Sequence, residues 1–224
     1  NQLGYDLHYW VYVPEGVSAD QTLPSLYVTD GLWYLAGGGL GQLIEQMIAY
    51  GRIEPLVAVF VDSSNPDNPA ENRRDSEFMC NRRYAAFFAD ELIPAVTAQQ
   101  PVSHAREDRV ILGMSFGGLN AACFGIILPE VFSGIAMQSP ASAAHVDVVR
   151  GLYEEVETLP LKMFLSVGTK NDNLTAARRF RSTLQKKGYD LTYHKVREGH
   201  DWDNWRPLLD DVLLTFFAER VDQE

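Results

Sequence analysis

Two stretches of this chain carry residues whose types and spacing suit nucleophilic chemistry. Gly113-Met114-Ser115-Phe116-Gly117 fits the pattern G-x-S-x-G, and His200 lies within Arg197-Glu198-Gly199-His200-Asp201-Trp202. A serine hydroxyl is a poor nucleophile until a base takes its proton, and imidazole is the usual base. A carboxylate completes the set by fixing the tautomer of the histidine. Asp172 is the only carboxylate in the segment 168–173 and precedes His200 by 28 residues. Serine, then aspartate, then histidine is one of the chain orders in which such triads occur. The chemistry these residues suit is acyl transfer through a covalent serine intermediate. Asp172 also stands where it could cap a helix beginning near Thr175, so both roles are open. Asp201, adjacent to His200, would point elsewhere and ranks lower.

The elements around these residues make the motif specific. Residues 109–112 (RVIL) predict a strand, and 116–128 predict a helix rich in small residues. Ser115 therefore falls on a strand–turn–helix junction, where a strained serine is exposed between glycines. A plain glycine-rich turn is the bland alternative. The helix start would add partial positive charge beside a developing oxyanion. Phe116 supplies one amide for that purpose. The other should come from the loop 29–33 after an early strand. His200 follows the strand pattern 191–196 and precedes a helix at 203–219. His8 and His194 fall on strand patterns and His104 in a polar loop. His145 reads either as a pocket residue or as a helix-surface residue.

The wider pattern alternates short apolar runs with amphipathic stretches, which predicts an α/β fold with a mostly parallel sheet. The remaining strands are expected at 8–13, 25–29, 56–61, 133–137 and 162–167. Helical spacing runs through 41–50, 82–97 and 175–187, and Pro94 inside the second of these is expected to kink or end it. Residues 62–74 read as a surface loop. No linker or repeat interrupts the pattern, so residues 1–224 are read as one domain.

Composition narrows the function classes. The chain has 224 residues and a formal charge of −11, with a pI near 4.9. Such a surface disfavours nucleic acid and anionic membranes as partners. No apolar run is long enough to span a bilayer. No HExxH or paired Cys/His spacing suggests zinc, and the chemistry calls for no cofactor. Cys80 and Cys123 are expected to be free and buried. The chain opens at Asn1 without methionine, which reads as a trimmed or processed chain. A cytoplasmic location is the expectation, with periplasm or secretion as alternatives. Oligomeric state is left open.

Several of these motifs together resemble the esterase D-type branch of the α/β-hydrolases, and within it the enterochelin (siderophore) esterases. They are Tyr12-Val13-Pro14, Asp30-Gly31, Glu91-Leu92-Ile93-Pro94, Gly113 to Gly118 and Glu198 to Trp202 with Trp205-Arg206. Residues 74–78 (RDSEF) and 87–94 (FFADELIP) carry the closer likeness. The resemblance implies an α/β-hydrolase fold, ester hydrolysis and Leu32 as the second oxyanion amide. It also implies a small-molecule ester, of siderophore or feruloyl type, as substrate. A catecholate would need cations, and Arg73, Arg74, Arg82 and Arg83 are either its contacts or a solvated surface. Trp33, Trp202 and Trp205 are either an aromatic wall or packing. An acyltransferase of the same fold and a non-catalytic binding module are the competing readings.

Overall fold

The computed structural model describes residues 2–18 and 20–219. The strands are β1 (Tyr9–Tyr12), β2 (Ser25–Thr29), β3 (Val57–Val61), β4 (Ser64–Asn65), β5 (Asn68–Asn72), β6 (Arg109–Met114), β7 (Gly134–Gln138), β8 (Lys162–Gly168) and β9 (Asp190–Val196). Seven of them form one sheet in the order β1-β3-β2-β6-β7-β8-β9. β1 pairs antiparallel with β3, and every other pairing in that sheet is parallel. This is the α/β architecture that the alternation of apolar runs predicts.

Burial explains why these runs are strands. All five residues of β2 and of β3 are buried, as a strand covered on both faces requires. Successive side chains go to opposite faces. Tyr27, Val57, Val59, Val61, Ile111, Ile135 and Met137 join one core. Leu26, Val28, Ala58, Phe60, Val110, Leu112 and Ala136 join the other. The first core is closed by Phe88, Phe124, Val149 and Phe180 from the helices Arg82–Phe87 to Leu174–Lys187. The second is closed by Ile44 and Met47 of helix Leu40–Ala49 and by Val212, Leu213 and Phe217 of helix Leu209–Phe217.

Three local expectations are corrected, and the irregularity foreseen near Pro94 is found. Residues 62–74 hold the two-stranded β4–β5 hairpin rather than only loop. The helix expected over 82–97 is α-helical at Arg82–Phe87, widens to a π-turn at Phe88–Leu92 and resumes at Ile93–Gln99. Pro94 explains the widening, because it lacks an N–H and its ring crowds the carbonyl one turn back. The C-terminal helix is split into Trp202–Trp205, a 3₁₀ turn Arg206–Leu208 and Leu209–Phe217, with Pro207 at the break. Cys80 and Cys123 are joined in a disulfide rather than free. Their separation of 43 residues hides that the loop carrying Cys80 lies against the helix that carries Cys123.

Candidate active site

The residues singled out for chemistry lie beyond the carboxyl ends of β2, β6, β8 and β9. This is where open parallel sheets place their ligands. β6 runs buried to Met114, and the chain then turns at Ser115 with φ 55 and ψ −122 into helix Phe116–Ile127. That backbone is strained for a residue with a Cβ and persists only where the surroundings enforce it. Two bonds do so here. The Ser115 N–H donates to Gln138 O at 2.9 Å, and the Ala141 N–H donates to Ser115 O at 3.1 Å. The flanking glycines are required by close approach. A Cβ on Gly113 would run into the Gly117 carbonyl, and one on Gly117 would stand 2.7 Å from Thr29 Oγ1.

Ser115, His200 and Asp172 are brought together. Ser115 Oγ lies 2.8 Å from His200 Nε2, and His200 Nδ1 lies 2.9 Å from Asp172 Oδ1. A carboxylate can only accept, so Nδ1 carries the proton and Nε2 is free to take one from serine. The Trp205 ring stands edge-on to the imidazole, with centroids 5.1 Å apart. The Asp172 side chain is fully shielded from solvent. Burial pushes its pKa up, but hydrogen bonds from His200, the Ser139 hydroxyl and the Gly168 and Asn173 amides outweigh that and hold it below the usual range. The capping role falls elsewhere. Asn173 is the N-cap of helix Leu174–Lys187, and no side chain caps it. Asp201 accepts from the Asp203 amide and caps helix Trp202–Trp205.

Phe116 and Leu32 are the first and second residues of their helical segments, Phe116–Ile127 and Gly31–Trp33. Amides at such positions have no partner within the helix and are open to an oxyanion. The Leu32 loop is held by Asp30, which takes a left-handed conformation at φ 57 and is buried. Arg74 pairs with Asp30 through two contacts, 2.8 Å from Nε to Oδ1 and 2.9 Å from Nη2 to Oδ2. Its guanidinium lies 4.9 Å from the Trp33 ring and 5.6 Å from the Phe116 ring. Arg74, foreseen as a substrate contact or as solvated surface, thereby ties the two oxyanion segments together. Arg73 lies over the Tyr5 ring, Arg83 bonds the carbonyls of Gln2 and Leu3, and Arg82 stays exposed.

The other foreseen residues divide. Leu32 and Trp33 are 43% and 45% exposed, unusual for their types, and form an apolar rim. Trp202 packs edge-on against Tyr34 and Trp205. His145 is exposed, bonds Ser142 Oγ through Nδ1 at 3.0 Å, and lines a recess of about 130 Å³ with Met79, Cys80, Leu119 and Val148. A wider cleft of about 500 Å³ along Val13–Val17 and Gln99–Pro101 contains none of the triad side chains. Sequence reasoning missed Ser139 and Asn204, both fully buried against Asp172. Their positions just past β7 and just after His200 were the only signal. Among the described residues no group of three or more His, Cys, Asp or Glu side chains is placed to hold a metal ion. No helix among them is long and apolar enough to cross a membrane.

Residues 1–216 match the Esterase family, and the chain belongs to it. The chain is 23% identical over 226 residues to the uncharacterised protein YjcH of Bacillus subtilis, covering 95% of this chain and 92% of that one. It is 24% identical over 225 residues to the iron(III) enterobactin esterase of Escherichia coli K12, covering 90% of this chain and 54% of that one. The enterobactin esterase FES of Shigella flexneri, solved in the presence of enterobactin, superposes with a TM-score of 0.83 at 22% identity, over 96% of this chain and 56% of that one. The chain thus spans about half the length of the enterobactin esterases it matches. The fold is that of the α/β-hydrolases, and the class is that of serine ester hydrolases.

Proposed function

We propose that this protein hydrolyses carboxylic esters through an acyl-enzyme on Ser115. The observation that carries the reading is the unbroken run from Ser115 Oγ to His200 Nε2 and from His200 Nδ1 to Asp172 Oδ1, at 2.8 and 2.9 Å. Ser115 Oγ attacks the ester carbonyl as His200 Nε2 takes its proton. Asp172 keeps the imidazole oriented and stabilises its charged form. The Phe116 and Leu32 amides receive the oxyanion. His200 then protonates the leaving alcohol, and water repeats the sequence to release the acid.

The substrate we favour is an ester with a short or single-ring acyl group. Leu119 of the recess lies one turn from Ser115, and its amide donates to Ser115 O. A dry cavity of about 150 Å³ is enough to hold one benzene ring, so a recess near that size suits such a group. Trp33 and Leu32 add exposed apolar surface on the oxyanion loop. The enterobactin esterase likeness adds a catecholate-serine trilactone to the candidates. A hydrolysis panel of p-nitrophenyl acetate, a feruloyl ester and the trilactone tests the reading. Turnover of one or more, abolished by Ser115→Ala, is expected. Full activity in Ser115→Ala contradicts it. The Cys80–Cys123 bond supports an oxidising compartment over the cytoplasm, and thiol alkylation before and after reduction of the protein from its native source tests that.

A further inference from the structure

We infer that Ser139 is a positioning residue for Asp172, its hydroxyl proton committed to Asp172 Oδ2. The inference rests on the triad reading above. Ser139 follows β7 directly, is fully buried and has φ 44. That backbone strains a residue with a Cβ, and glycine would relieve it. What serine offers at such a place is its hydroxyl.

A hydroxyl has one proton and two lone pairs. Trp205 Nε1–H donates to Ser139 Oγ at 2.9 Å, and Asn204 Nδ2–H donates to it at 3.0 Å. An indole N–H cannot accept. The Asn204 amide faces Ser139 with its nitrogen, because the same nitrogen also meets Gly199 O at 2.8 Å and Asp172 Oδ2 at 3.3 Å. Both lone pairs are therefore occupied by groups that only donate. The Ser139 proton is left to the 2.7 Å contact with Asp172 Oδ2. The Gly168 amide donates to that same oxygen at 2.7 Å. Oδ2 is thereby anchored, and Oδ1 is presented to His200. The segment 138–141 thus serves both ends of the triad. Gln138 and Ala141 hold the Ser115 backbone, and Ser139 holds the acid.

Ser139→Gly tests this, since it deletes the hydroxyl and suits the backbone. Active sites are counted by fluorophosphonate titration, so unfolded protein does not enter the rate. For p-nitrophenyl acetate, kcat should fall by about ten- to a hundred-fold with KM changed by less than about twofold. Ser139→Cys keeps a weak donor and should fall between that variant and wild type. A Ser139→Gly enzyme with kcat within about twofold of wild type overturns the proposal. In the unaltered protein the Ser139 hydroxyl should give a slowly exchanging proton resonance beside Trp205 Nε1–H. The lack of one overturns the proposal even where the variants do not fold. Ser115→Ala separates the two readings. An active Ser115→Ala removes the triad itself, whereas an inactive one beside a fully active Ser139→Gly removes the Ser139 role alone.

Discussion

Two buried carboxylates at the carboxyl end of the sheet, one after β2 and one after β8, have opposite electrostatics. Asp172 accepts hydrogen bonds from His200, Ser139 and the Gly168 and Asn173 amides, and its pKa is drawn down despite burial. Asp30 is just as shielded, and burial outweighs the pull of Arg74 and Ser63, pushing its pKa up to about 6. The difference lies in the deeper packing around Asp30, in the Asp62 charge beside it and in the number of donors. Several aligned donors replace the lost hydration of a carboxylate, while one arginine and one hydroxyl at 3.3 Å replace only part of it. Asp172 is held charged beside a base that becomes cationic. Asp30 holds the oxyanion loop and has no need to be strongly acidic.

The comparison is broken most severely at Asp172. Asp172→Asn keeps the shape but favours the wrong histidine tautomer, and kcat should drop by about four orders of magnitude with p-nitrophenyl acetate. Next in size is Arg74→Met, which leaves Asp30 buried and unpaired. That should cost about 3–5 kcal/mol in urea unfolding, and Asp30→Asn in the same chain should restore part of it.

The pH dependence of stability sharpens the contrast. A carboxyl whose folded pKa lies above its unfolded value favours folding while protonated, and the contribution is lost as pH rises through the folded value. Asp30, raised from 3.8 to about 6, and Glu77, raised by burial from 4.5 to about 7, both act in this sense. Tm should therefore decline as pH rises from about 5 to 7, by an amount on the order of a few kcal/mol in stability. Asp30→Asn and Glu77→Gln should each flatten the decline. Asp172 acts oppositely, contributing at neutral pH and losing its contribution as pH falls through its lowered value. The smallest effect is at the rim. Trp33→Ala should raise KM for a feruloyl ester by about three- to tenfold and leave kcat for p-nitrophenyl acetate nearly unchanged.

Much of this was legible in the residues. Continuous apolar runs such as Leu56 to Val61 foretold a sheet covered on both faces, because a strand buried on both sides has no polar face to show. Ser115 was legible because a strained turn needs glycines on both sides. His200 and Asp172 followed from loop order. The supporting contacts were not legible. Ser139 and Asn204 are 65 residues apart, and no local pattern says that they meet at one carboxylate. The Arg74–Asp30 pair was not legible either, because an arginine shows its charge in sequence and not its partner. The cysteines were read as free for the same reason: pairing depends on which helix a distant loop lies against.

The central claim is that Ser115 is activated by His200. Its most direct measurement is reaction with a fluorophosphonate, followed by mass-spectrometric mapping of the adduct. The account predicts stoichiometric labelling on Ser115 in the wild type and labelling slowed by orders of magnitude in His200→Ala. Labelling at another residue, or an undiminished rate in His200→Ala, would contradict it.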